Sequence, residues 1–250
     1  MARVRSTGPE PRTGASPQYL YAIVEGLPRR WRPPTSGVGA GPVVARSIAD
    51  LVVVASAVTA PPPRTPRTLA LHHDVVATTL QADAVLPFPF GMVMRPGELD
   101  HWMLTHRGLV LRSLAHLRGC LEMTVRLVRL DAAPTSGLGR MLARRAGTDG
   151  RAGRQGDTGL DTLASEVIDR AGLSEWRYEP GVRDGVASVA FLLPRDELAQ
   201  FLTRIAPVAS RAVGVAVVPT GPRAPYSFVP ALHDAAHPAA CCRLSHHVRA

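Results

Sequence analysis

The chain has 250 residues, 46% of them hydrophobic, which is enough to bury a core in one large domain or in two of roughly 100 residues each, and excludes a wholly disordered protein. The formal charge is +9 and all 29 basic residues are arginine. Such a set points to coding bias as much as to purpose, which weakens a nucleic-acid reading of the high pI, while the planar guanidinium still suits an acidic protein partner. The three cysteines, Cys120, Cys241 and Cys242, have no framework spacing, no apolar run is long enough to span a bilayer, and the first residues lack the apolar stretch of a secretory signal. A soluble cytoplasmic protein is expected, with no membrane segment.

Residues 1–17 are rich in Gly, Pro, Ser, Thr and Arg and read as a disordered tail. QYLYAIVEG (18–26) then reads as a strand, followed by a Pro/Arg/Gly loop over 27–42. PVVARSI and DLVVVASAV form two further strands that turn at Ala49 and Asp50. After the stiff spacer PPPRTP, the spacing predicts a helix over 67–81 with Leu69, His72, His73, Val76, Ala77 and Leu80 on one stripe. AVLPFPFG (84–91) follows. Pro87 and Pro89 each remove a backbone donor, so this is a short strand entry that breaks into an extended link, with Leu86, Phe88 and Phe90 pegging it to the core. A helix over 97–117 carries Leu99, Trp102, Met103, His106, Val110, Leu114 and Leu117, and ends at Gly119.

The second half is more regular. GCLEMTVRLVRL (119–130) alternates as a strand with Leu121, Met123, Val125 and Leu127 on one face. Residues 133–157 read as a variable loop, and 158–172 as a helix with Leu160, Leu163, Ala164, Val167, Ile168 and Ala171 in line. A strand over 174–180, a turn at Arg183–Gly185, a strand over 186–194, a helix over 195–207 and a strand over 211–219 complete the order β-α-β-β-α-β. The fold class is therefore α+β in two domains. The one over 119–230 is ferredoxin-like (βαββαβ), and the one over 18–118 is a small α+β domain of related character; residues 231–250 form a flexible tail.

No motif carries chemistry. GVGAGP (37–42) resembles a dinucleotide loop, but a strand follows it where a helix N-terminus is needed. His72, His73 and Asp74 resemble an acid/base cluster, yet the histidines lie on an apolar stripe and no nucleophile accompanies them. The tail's Cys241, Cys242 and nearby histidines lack zinc-ligand spacing. Arginines at 140, 144, 145, 151 and 154 have no interleaved aromatics, and the strand VASVAFLL lacks the base-stacking motif of RNA-binding domains on the same fold. No catalytic residue, cofactor, metal or nucleic acid is expected. A ferredoxin-like module that binds a small-molecule regulator is the alternative function.

Four stretches in register carry a resemblance: YLYAIVEG, AVLPFPFGMVM, GCLEMTVRLV and TGPRAPYSFV. Their succession over residues 18–230 resembles the gas vesicle protein family GvpL/GvpF. The residues that match its motifs are Tyr19, Tyr21, Leu86, Pro87, Phe88, Phe90, Gly91, Glu122, Gly221, Pro222, Pro225, Tyr226 and Phe228. Ala22, Pro89, Met92, Arg223 and Ala224 depart from the family's Gly, Arg, Thr and Trp-Pro. The resemblance implies a minor, non-enzymatic gas vesicle protein that assists shell assembly in the cytoplasm and at the vesicle. It also implies the major shell protein and other accessory proteins as partners, with AVLPFPFG and GPRAPYSFV as candidate contact segments.

Overall fold

The structure is a computed structural model that describes residues 16–48, 50–130, 152–181 and 185–230. The chain falls into two compact units, residues 16–82 and 86–114 in the first and 83–85 and 115–229 in the second. Each has its own sheet.

In the first unit, β1 (Gln18–Glu25) pairs antiparallel with β3 (Leu51–Ala57), which pairs antiparallel with β2 (Val43–Ile48). Asp50, at φ 68°, supplies the left-handed residue of the tight β2–β3 turn. The helix α1 (Pro66–Thr78) starts on a reciprocal cap. The Thr65 hydroxyl accepts from the Thr68 amide, the Thr68 hydroxyl accepts from the Thr65 amide, and Pro66 sits where its missing N–H costs nothing. β4 (Ala84–Pro87) lies on the other side of β1, giving the order β2-β3-β1-β4, and the two-residue β5 (Val93–Met94) pairs with Gln18 and Tyr19 farther along β1. Tyr19 through Val24 are all fully buried, so both faces of β1 are covered.

The helices α2 (Pro96–Thr105) and α3 (Arg107–Leu117) replace the single helix expected over 97–117. Its apolar stripe stands: Leu99, Trp102, Met103, Val110, Leu114 and Leu117 are buried. The break falls at His106, whose ring nitrogen bonds the Trp102 carbonyl and competes with the helical ladder beside Gly108. On α1 the stripe is rotated from the expected one. His72, Val75 and Val76 face inward, whereas His73 and Ala77 are exposed. Both sets fit helical spacing, and the β-branched Val75 outcompetes the small Ala77 for the interior.

The second unit has the expected β-α-β-β-α-β order: β6 (Cys120–Arg129), α4 (Ala152–Ala171), β7 (Trp176–Glu179), β8 (Val186–Pro194), α5 (Leu198–Arg211) and β9 (Val215–Arg223). The sheet order is β7-β8-β6-β9, all antiparallel, as a ferredoxin-like fold requires. Leu121, Met123, Val125 and Leu127 pack with Leu160, Ala164 and Val167 of α4 and Phe201, Ile205 and Val208 of α5. Three boundaries differ from expectation. α4 begins within the stretch read as a loop; α5 opens with a 3₁₀ turn over Arg195–Glu197 and runs through Pro207 to Arg211; β9 therefore starts late. A proline inside a helix deletes one i→i−4 bond, and burial of Phe201, Ile205 and Val208 along one face outweighs that loss. The first unit has the same spatial order with a loop, residues 26–42, in place of the first helix.

Residues 1–15 of the tail expected over 1–17, the whole tail expected over 231–250, residues 133–151 of the loop expected over 133–157, and residues 183 and 184 of the turn expected over 183–185 lie outside the described residues.

Candidate functional site

Two clusters hold the residues singled out above, one per unit. In the first, Tyr19 and Tyr21 project from β1 with ring centroids 5.0 Å apart. The Tyr19 hydroxyl lies 2.9 Å from His72 Nδ1 and accepts from the Gly91 amide at 3.2 Å. Tyr21 stacks on His72, and Phe90 stands edge-on to both Tyr19 and His72 under the Arg64 guanidinium. The Tyr21 hydroxyl closes a ring of three bonds. It accepts from the Val38 amide at 2.7 Å and meets Ser56 Oγ at 3.0 Å, and Ser56 donates to the Val38 carbonyl. Gly37 must lack a side chain here, because a Cβ would collide with the Tyr21 oxygen. The glycines of GVGAGP thus seat a loop against β1 and β3.

Burial pushes both tyrosine hydroxyls upward. Burial also pushes His72 down, with help from the neighbouring His73, to about 4, while a hydrogen bond to the Phe88 backbone opposes the shift. His72 is therefore a neutral imidazole that ties α1 to β1 and the connector. His73 and Asp74 point outward, so the three residues form no acid/base cluster.

In the connector, Leu86, Pro87 and Phe88 are buried, Pro89 and Phe90 are half-buried and Gly91 is exposed with φ 95°. Phe88 lies between two prolines and uses the one free amide, donating to the Tyr21 carbonyl at 2.9 Å. The prolines fall where no ladder bond is needed. Phe88 meets Trp102 of α2 while Phe90 meets His72 of α1, so the two rings pack against different helices.

The second cluster centres on Glu122, fully buried on the sheet face opposite the helices. Its Oε1 accepts from Arg223 Nε at 2.9 Å, from Arg223 Nη2 at 2.6 Å and from Ser227 Oγ at 3.0 Å; Oε2 accepts from the Ser227 amide at 2.8 Å. Arg223 Nη2 also reaches Thr124 Oγ1. The register of β9 slips by one residue between the partners of Glu122 and Thr124, and Gly221 and the cis-linked Pro222 occupy the bulge. A Cβ at Gly221 would lie 2.6 Å from Met123 Sδ and 2.9 Å from the Glu122 carbonyl oxygen, so the close approach demands glycine. Beyond it, Pro225 and Phe228 are buried and Tyr226 is half-buried; Arg177 covers the Phe228 ring.

Sequence reasoning named Glu122 but missed Thr124 and Ser227, and treated Arg223 only as a departure. The available signal was a carboxylate at an alternating strand position, which an interior must match with donors. Every oxygen of Glu122 is engaged, so it is no free base. Among the described residues no three metal-ligating side chains come together and no helix is long and apolar enough to cross a membrane. The Cys241–Cys242 tail and the arginine run lie outside the residues whose side chains are described.

No curated protein matches the chain. The fold is similar to the crystal structure of gas vesicle protein GvpF from Microcystis aeruginosa, at 17% identity and TM-score 0.65, covering 85% of this chain and 98% of that one. It is also similar to that of GvpF from Anabaena sp. PCC7120, at 16% identity and TM-score 0.68, covering 94% and 100%. The family described as "Gas vesicle synthesis protein GvpL/GvpF" matches residues 17–154 and 137–230, spanning both units and both clusters. The chain therefore belongs to the GvpL/GvpF family of gas vesicle synthesis proteins.

Proposed function

We propose that this protein is a non-enzymatic accessory factor of gas vesicle assembly that works in the cytoplasm and at the vesicle by binding the major shell protein and other accessory proteins. The observation that carries the reading is the family match over both units. The way the motif side chains are used supports it. Tyr19, Tyr21 and Glu122 spend their polar atoms on internal bonds, which is how a scaffold rather than a reaction centre uses them. Within the motif segments, a partner would meet the parts left accessible: Phe90 and Gly91 of the connector, Pro222 and Arg223 at the end of β9, and Tyr226 beyond it.

The test is affinity capture of the tagged full chain from cells expressing a complete gas vesicle gene set. The major shell protein and at least one further accessory protein are expected in the eluate. A clean eluate containing neither sinks the reading.

A further inference from the structure

Sheet edges invite pairing with foreign strands unless short length, proline, bulges or charge prevents it. At three of the four strands that end the two sheet orders such a device is visible. β4 ends in Pro87 with Pro89 just beyond, β7 has four residues bearing exposed Arg177 and Glu179, and β9 holds Pro219, Pro222 and a bulge. β2 has no proline, bulge or unpaired charge. Its six residues, VVARSI, contain no proline and run in unbroken register with β3. Among the described residues, no backbone hydrogen bond joins 43–48 to any element but β3. Val44, Ala45 and Ser47 are exposed, Val44 to 43%.

Charge tells which strand fits. Arg46 is the sole charged residue of β2, and both Asp100 carboxylate oxygens hold its Nη2, at 2.9 and 3.0 Å. The edge is therefore locally neutral on a chain of net charge +9. A charged strand would gain no counter-ion here and would lose hydration against Val44 and Ala45. We propose that the outer edge of β2 accepts an extended, uncharged, apolar strand of a partner protein by strand addition. Resting on the function proposed above, this assigns the shell-protein contact to β2. Main-chain bonds along six residues supply affinity, and Val44 and Ala45 supply side-chain contacts.

The experiment compares wild type with the double variant Val44→Lys/Ser47→Lys, using the co-expressed major shell protein as probe. Both side chains are exposed, so the lysines install a natural edge-blocking device without touching the β3 ladder. Val213→Lys, at a residue 94% exposed in the second unit and outside every strand, controls for added charge. Capture by the double variant is expected to fall at least tenfold, with thermal midpoint and Val213→Lys capture unchanged. Equal capture by wild type and double variant overturns β2 as the docking edge and leaves the proposed function standing. Loss of capture by all three proteins removes that function and this inference with it. Wild type that dimerises alone through β2, with the double variant monomeric, would make the occupant a second copy and overturn the partner assignment.

Discussion

Arg223→Ala is the most revealing perturbation, because it leaves a fully buried carboxylate without its cation. Arg223 gives Glu122 two N–H bonds, at 2.6 and 2.9 Å, while the Ser227 amide and hydroxyl remain in the variant. Breaking a buried pair from one side costs about 3–5 kcal/mol when water cannot replace the lost partner. The Arg223 side chain is 46% exposed, so water can enter from that side, and the expected cost falls to about 2 kcal/mol. Since the two units need not unfold together, a single midpoint would mix them. Amide exchange resolved along β6 and β9 isolates the second unit, where about 2 kcal/mol reads as roughly 30-fold faster exchange. Glu122→Gln and the double variant complete a cycle, with a coupling of about 1.5 kcal/mol expected. Arg223→Ala indistinguishable from wild type in β6 and β9 exchange, or a coupling near zero, would refute the claim that Arg223 neutralises Glu122.

Three further expectations follow from the first unit. The unfolded chain binds a proton at His72 near its ordinary 6.5 while the folded chain resists until about 4, so stability is full above about pH 6.5 and falls as the pH drops. About 2 kcal/mol should be lost between pH 7 and 5 in urea titrations, and His72→Gln should remove that part of the slope; an unchanged slope counts against it. Gly37→Ala should cost about 2 kcal/mol by driving a methyl into the Tyr21 hydroxyl, visible as a lower thermal midpoint, and a neutral result would show that the loop gives way. Pro89→Arg, restoring the residue usual in the family, should cost about 0.5–1 kcal/mol through a freer unfolded chain; a larger loss in urea unfolding would mean that the ring itself packs.

Much of this fold was legible in the residues because its strands alternate and its helices carry clean stripes. β6 and β8 appear where the pattern put them, since Leu121, Met123, Val125 and Leu127 have no other way to share a face. The misreadings have local physical causes. The α1 stripe was ambiguous because Leu69, His72 and Val76 fit either of two adjacent faces, and only packing against β1 chose Val75 over Ala77. α5 runs past 207, the end expected for it, because burial of Val208, which the sequence does not show, offsets the donor missing at Pro207. The Glu122 network was illegible because its partners lie about one hundred residues away along the chain.

The motif segments are related by more than their order along the chain. YLYAIVEG forms β1 and AVLPFPFG begins as β4 beside it; GCLEMTV forms β6 and TGPR ends β9 beside it. In each sheet, then, the motif residues occupy an inner strand, β1 or β6, and the outer strand beside it, β4 or β9. β4 and β9 each leave their sheet through a proline-bearing segment whose phenylalanine, Phe88 or Phe228, is buried. A hydrogen bond to the inner strand's own residues pins each segment, Phe88 amide to Tyr21 carbonyl in one and Ser227 amide to Glu122 carboxylate in the other. Prolines suit this position because the segment must stop pairing yet stay extended. The family signature accordingly marks where each sheet is sealed against its own chain, and the outer edge of β2, proposed above as the docking edge, lies outside every motif segment.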